Sequence, residues 1–134
     1  MKVLDQVELS VERGVEGDHR GRFKPGRNRR QVSLIERADW HAAIAEIGQD
    51  LPWQTRRANL LVDGLDLPQR AGARLRIGQA LLEITVECDP CYRMEEIAPG
   101  LEAALKSDWR GGALARVLEG GHVAVGDEIR IEQP

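Results

Sequence analysis

The chain has 134 residues, 42% of them hydrophobic and 31% charged, with 19 Lys and Arg against 22 Asp and Glu for a formal charge of -3. At roughly 100–150 residues for a typical domain, this length predicts one domain over residues 1–134 with a core of its own and no room for a second. Two cysteines and no apolar N-terminal leader argue for a reducing, cytoplasmic setting rather than a disulfide-stapled secreted fold. No window approaches the roughly 20 apolar residues of a membrane span. Five aromatic residues and an isoelectric point of about 5.7 disfavour nucleic acid as a partner, which asks for a basic field and stacking rings.

Along the chain, Val3, Asp5, Val7, Leu9 and Val11 fall on one side of a period of two, which predicts a strand ending near Gly14. The segment HRGRFKPGRNRR, His19 to Arg30, then holds six basic residues (Arg20, Arg22, Lys24, Arg27, Arg29, Arg30) and no acid. Removing those six from the 19 basic residues leaves 13 against 22 acidic ones, a balance of -9 for the remainder. With Gly21, Pro25 and Gly26 inside it, the segment reads as an exposed loop, either a solvated flap or an Arg-rich grip for a small polyanion.

Gln31 to Ile35 is β-prone, and Trp40, Ala43, Ile44 and Ile47 at three- and four-residue spacing predict a helix from about Ala38 to Ile47, stopped by Gly48. Strands are predicted at Arg57 to Val62, closed by Asp63-Gly64, and at Arg74 to Ile77 and Ala80 to Val86, joined as a hairpin by Gly78-Gln79. A loop with Cys88, Pro90 and Cys91 leads to a short helix from about Leu101 to Ser107. Extended runs follow at Ala113 to Leu118, at Val123 to Val125 after a Gly120-Gly121 turn, and at Glu128 to Glu132. The pattern is mainly β with a few helices (α+β). Seven or eight short strands, with turns at short spacing and 14 glycines, favour a closed or partly open mixed or antiparallel β-barrel over a doubly wound sheet.

Cys88 and Cys91 form a C-x-x-C spacing open to three readings: a redox dithiol, half of a zinc site, or two partly buried thiols acting as small hydrophobes. The three histidines, His19, His41 and His122, lie apart without metal-ligand spacing. Cys91 is the stronger single candidate, because Arg93 lies two residues on and Pro90 stiffens the approach; cationic neighbours favour the thiolate that attacks sulfur or ligates a soft metal. Gly111-Gly112 and Gly120-Gly121 read as tight turns, Asp127-Glu128 as a turn into the last strand, and Trp40 and Trp109 as packing.

Six ordered pieces resemble the MOSC domain, the family named for the C-terminal domain of molybdenum-cofactor sulfurases. They are GVEGDHR at Gly14 to Arg20, RQVSLIE at Arg30 to Glu36, RRANLLVDGLDL at Arg56 to Leu67, GARLRIGQALLEIT at Gly72 to Thr85, PCYRM at Pro90 to Met94, and RGGALARVLEGGHVAVGD at Arg110 to Asp127. The resemblance implies a barrel like that of pyruvate kinase and binding of the molybdopterin form of the molybdenum cofactor. It implies that Arg57, Asn59 and Cys91 face the cofactor, with Arg93, Arg110 and Arg116 and the loop residues Arg20, Arg22 and Lys24 as further cationic donors. Cys91 would ligate molybdenum or carry a persulfide sulfur destined for it.

The implied activity is sulfur transfer or molybdenum-dependent reduction of N-hydroxylated compounds. It would draw on a partner: a pyridoxal-phosphate-dependent cysteine desulfurase for sulfur, or an electron donor for reduction. A non-catalytic cofactor carrier and a redox dithiol module built on Cys88 and Cys91 are the alternatives. Cys88 lies outside the family pattern, and a disulfide with Cys91 would block or regulate the site.

Overall fold

The computed structural model describes residues 4–16 and 31–132, so the loop residues Arg20, Arg22 and Lys24 lie outside the described part. Strand β1 (Gln6–Ser10) turns back through residues 11–13 into the two-residue β2 (Gly14–Val15), with Leu9 opposite Val15. The single N-terminal strand expected up to Gly14 is therefore a hairpin. Ser10 turns it locally: its Oγ accepts the Arg13 N–H at 3.1 Å and donates to Glu16 at 3.1 Å, side-chain bonding that competes with extension of the strand.

Strand β3 (Val32–Glu36) runs directly into α1 (Arg37–Glu46). Trp40 on α1 is fully buried, and its indole N–H donates to the Leu51 carbonyl at 2.8 Å, which folds the following loop back on the helix. A 3₁₀ helix at Trp53–Arg56 ends on Arg57, whose φ of 64° is left-handed. Strand β4 (Leu60–Val62) starts three residues later, so the strand expected from Arg57 is shorter by its first half. A left-handed residue cannot continue a pleat.

The hairpin of β5 (Arg74–Ile77) and β6 (Ala80–Glu87) forms with Ile77 opposite Ala80, as the sequence pattern indicates. Two helices follow rather than one: α2 (Tyr92–Ile97) and α3 (Leu101–Lys106). The chain closes with β7 (Ala113–Glu119), β8 (Gly121–Ala124) and β9 (Ile129–Glu132).

The described residues thus hold nine strands in two sheets. One has the order β2-β1-β8, the other β4-β3-β7-β6-β5-β9, with only the β3–β4 pair parallel. Gly120-Gly121 is not a hairpin turn, because it carries the chain from β7 in the large sheet to β8 in the small one. A Cβ on Gly120 would stand 2.6 Å from the Leu9 carbonyl oxygen, so the corner closes only with glycine. The result is a curled, partly open barrel in a mostly β fold.

Alternation along β3 divides the core. Val32 and Leu34 join Leu75, Leu82, Ile84, Ala115 and Val117 inside the curl, while Ile35 faces Trp40, Met94, Leu101 and Leu105 beneath the helices. Gln31 is the one buried polar side chain of the described residues, and it ties the two sheets: its Nε2 donates to the Val11 carbonyl at 2.6 Å and its Oε1 accepts the Val117 N–H at 2.8 Å. Gln31→Ala leaves that buried N–H unpaired and is expected to cost about 1–3 kcal/mol, read as a lowered urea midpoint at unchanged slope.

Candidate functional site

A strip crosses one end of the large sheet, from the residues before β4, over β3 and the start of β7, to the end of β6. Its first part is a reciprocal lock between Asn59 and Ser33. Asn59 Oδ1 accepts the Ser33 N–H at 2.8 Å and the Ser33 hydroxyl at 3.1 Å, and the Asn59 N–H donates back to the Ser33 carbonyl and hydroxyl, each at 3.0 Å. This lock sets the parallel register in which Leu34 faces Leu60.

The middle of the strip is Gly111-Gly112. A Cβ on Gly112, at φ 103°, would stand 2.1 Å from the Leu34 carbonyl oxygen. One on Gly111 would stand 2.7 Å from the Cys88 carbonyl oxygen and 3.3 Å from Pro90 Cδ. Only a chain without side chains here lets β3, β7 and the cysteine loop converge. The Cys88 N–H completes the join by donating to the Gly112 carbonyl at 2.9 Å.

Arg56 closes the strip from below. Its Nε donates to the Gly111 carbonyl at 3.2 Å, and its Nη2 donates to the Cys88 carbonyl at 2.9 Å and to Cys88 Sγ at 3.3 Å. No role was assigned to this residue from the sequence, which singles out its neighbour. The adjacent pair Arg56-Arg57 splits its work at the left-handed bend: Arg56 points into the cysteine loop, and Arg57 is exposed and makes no ion pair with another described residue.

Cys91 is exposed and immediately precedes α2 in an extended conformation, while Cys88 is half-buried; neither is in a disulfide. The Arg93 guanidinium is held in its charged form by the Tyr92 hydroxyl first and then by the nearby Cys91 sulfur. The other two predicted cations are engaged elsewhere. Arg110 donates to Glu46 at 2.7 Å and to the Ala104 carbonyl at 3.3 Å, joining α1 to the end of α3. Arg116 pairs with Glu83 at 2.8 Å on the outer face of the sheet, with Arg74 beside it.

The MOSC domain model matches residues 21–130. The chain belongs to the MOSC domain family. At the level of the family it is a molybdenum-cofactor-related, sulfurase-type domain. Among solved structures, the MOSC chain superposes on YUAD protein from Bacillus subtilis with a TM-score of 0.78 at 22% identity, over 99% of this chain and 87% of that one. YiiM from Escherichia coli gives 0.75 at 20% identity, over 100% and 65%, and YiiM from Geobacillus stearothermophilus gives 0.75 at 16%, over 98% and 62%. The chain thus spans about two thirds of either YiiM chain, and at these identities the likeness is one of fold. No curated protein matches the chain. No helix among the described residues is long and apolar enough to cross a membrane.

Away from the strip, the MOSC chain carries a second electrostatic feature. Glu36, the last residue of β3 and the one before α1, has its carboxyl pushed up from 4.5 to about 7, chiefly by burial, with the Asp39 and Asp66 carboxylates adding to it and the Leu67 N–H bond at 3.1 Å opposing it. Asp39 is raised as well, by burial, although its hydrogen bond with Glu36 pulls the other way. The protonation of either carboxyl therefore depends on the other across the start of α1. Burial of an acid at the N-terminal boundary of a helix has no signature in the sequence, which reads Glu36 only as the end of a strand.

Glu36 binds its proton more tightly folded than unfolded. Its contribution to stability is therefore fully present below pH 4.5 and lost as pH rises through about 7. Glu36→Gln is expected to flatten that fall in stability across the window, read from urea midpoints taken at half-unit steps of pH.

Proposed function

We propose that this MOSC domain binds molybdopterin over the strip and passes sulfur through Cys91. The observation that supports the reading most is the exposed Cys91, presented at the residue before α2, with the exposed Arg93 two positions on. The cofactor is a pterin dithiolene bearing a phosphate and a soft metal; when bound, it supplies the molybdenum centre at which sulfur or oxygen is exchanged.

The residues present suit such a group. Among the described residues no three His, Cys, Asp or Glu gather as a metal cage, and the soft donor on the strip is a thiol, the ligand class that molybdenum brought in by its own dithiolene would meet. Arg57 is exposed at the left-handed bend without a described ion-pair partner, and the exposed Arg93 follows the thiol by two residues. Two guanidinium forks in that setting suit a phosphate. Asn59 is a positioning residue, since its carbonyl oxygen is engaged by Ser33 and holds β3 and β4 in register.

Sulfur delivery needs a thiol that a partner's active site can reach, and an exposed one at the end of a loop meets that need. The step is a transfer of sulfane sulfur: the Cys91 thiolate attacks the outer sulfur of a cysteine desulfurase persulfide, the partner's S–S bond breaks, and its cysteine leaves as thiolate. No electrons are gained or lost overall. The partner supplies the pyridoxal phosphate chemistry.

The test incubates the protein with a cysteine desulfurase and cysteine, then maps sulfane sulfur by peptide mass. The wild type and Cys88→Ser are expected to carry one extra sulfur on the Cys91 peptide, and Cys91→Ser none; sulfur retained in Cys91→Ser overturns the assignment. In parallel, protein purified from a cofactor-producing host is oxidised and its pterin fluorescence measured. Arg57→Ala is expected to lower that signal about tenfold, as for loss of one charge-assisted phosphate contact. Wild-type protein without pterin overturns the cofactor reading.

A further inference from the structure

A cleft of about 230 Å³ lies between α1 and the segment that follows it, residues 50–53, and reaches Leu61 of β4. No residue of the strip lines it. Its walls are fixed by hydrogen bonds. As the chain leaves the helix, the Gly48 and Gln49 N–H groups donate to the Ala45 and Ile44 carbonyls at 3.2 and 3.0 Å. The Trp40 indole then holds the Leu51 carbonyl at 2.8 Å, and the Thr55 N–H donates to the Pro52 carbonyl at 3.0 Å. A cleft tied down in this way has its shape before any ligand enters, as small-molecule sites do.

The apolar part of the lining is Ile44, Leu51, Trp53 and Leu61, each half-buried and packed on the core beneath the helices. An aromatic and three aliphatic side chains at one cleft suit a flat apolar ring. The polar part is mostly cations and donors. Arg37 and His41 stand at i and i+4, one turn apart on the same face of α1. The ion pair of Arg37 with Asp63 is a 3.5 Å contact between side chains that are both more than half exposed, so most of its N–H groups are available. The His41 imidazole and the Trp53 indole N–H bond to no other described residue. Asp50 is the one acid of the lining, and it follows Gln49, whose N–H meets Ile44. Ile44 stands two turns beyond Arg37, about 10.5 Å of helix rise. An anion is therefore favoured at the Arg37 end of the cleft and repelled at the other.

We propose that this cleft binds a small planar aromatic acid, with its carboxylate on Arg37 and its ring against Trp53, Leu51 and Leu61. The size selects the class: pockets for drug-sized ligands hold roughly 300–1,000 Å³, so about 230 Å³ takes one or two rings. The guanidinium fork meets a carboxylate through two parallel N–H···O bonds. Asp63 gives up its contact at little cost, because exposed pairs of this kind are weak. His41 and the Trp53 N–H are left for a second polar atom on the ring edge. The site is separate from the strip, and the proposal goes beyond the cofactor reading without resting on it.

The test uses the three tryptophans, two at the cleft and Trp109 inside the curl, whose indole N–H signals are followed by heteronuclear NMR of isotope-labelled protein and assigned with Trp53→Phe and Trp109→Phe. The probe is naphthoate, with naphthylmethanol as its neutral and naphthylmethylamine as its cationic counterpart. Naphthoate is expected to shift the Trp53 and Trp40 signals saturably, with a Kd of about 1 mM or below for a ligand of this size, and to leave Trp109 in place. Arg37→Gln is expected to weaken naphthoate about tenfold and to change naphthylmethanol by less than about twofold. No saturable shift at Trp53, equal naphthoate binding by Arg37→Gln, or tighter binding of the amine than of the acid each overturns the proposal. These readouts involve neither pterin retention nor sulfane-sulfur loading, so failure here is distinguishable from failure of the proposed function.

Discussion

The meeting of three chain segments at Gly111-Gly112 is the constraint on which both the barrel and the strip depend. With Gly112 set against the Leu34 carbonyl and Gly111 against the Cys88 carbonyl, β7 can start its pairing with β3 on one side and β6 on the other. Any side chain at Gly112 would drive off the carbonyl that it faces, and the sheet would open along the strip. The crowding also creates a demand. Backbone carbonyls turned toward one another need donors, and the Arg56 guanidinium supplies them to Gly111 and Cys88 together. One cation thus stabilises the closure of the fold and fixes the cysteine loop.

The other arginines divide between structure and solvent in a way that follows the sheet's two faces. On the outer face of the curl, Arg76 grips Glu132 with two parallel bonds of 3.0 and 3.1 Å and Arg116 pairs with Glu83, so the edge strand β9 is held to β5 by side chains as well as by its ladder. Exposed pairs of this kind add little each; their value here lies in a shared network and bidentate geometry. The helical face is closed differently, by Trp40, Leu101 and Leu105 at full burial. Charge is thereby kept off the sheet's inner surfaces and left free at Arg57, beside the strip.

What could be read in the sequence depended on how local its cause was. The β5–β6 hairpin, α1 and α3 follow from periodicity and turn residues within a few positions, and they form where those signals stand. Helix α2 was hidden because CYRMEEI offers one buried position, Met94, between Pro90 and Pro99, too short a stretch to show a period. The left-handed bend at Arg57 was hidden because RANLLV alternates well enough for a strand; the 3₁₀ helix that ends there is set by contacts from Gly111 and Cys88, more than 30 positions away. The same distance explains why Arg57 drew notice and Arg56 did not. Ordered family pieces located Cys91, and no local pattern could have told which of two neighbouring arginines would turn inward.

Backbone strain marks the same region. Three residues other than glycine have positive φ among the described residues: Arg57 at 64°, Asp108 at 48° and Trp109 at 57°. All three lie in the segments that lead into the strip, and such conformations cost on the order of 1–3 kcal/mol each for residues with a Cβ. They persist because neighbours hold them. The Arg57 N–H donates to the Gln54 carbonyl at 2.9 Å, Gln69 donates to the Asp108 carbonyl at 2.9 Å, and Trp109 packs on the core inside the curl. Each of those residues is followed within three positions by the part of the strip that it delivers, Asn59 in one case and Gly111-Gly112 in the other. The fold therefore spends part of its packing energy on the bend at Arg57 that leads into the Asn59–Ser33 lock and on the turn that delivers Gly111-Gly112 to the junction of β3, β7 and the cysteine loop, an arrangement that local propensity alone would not produce.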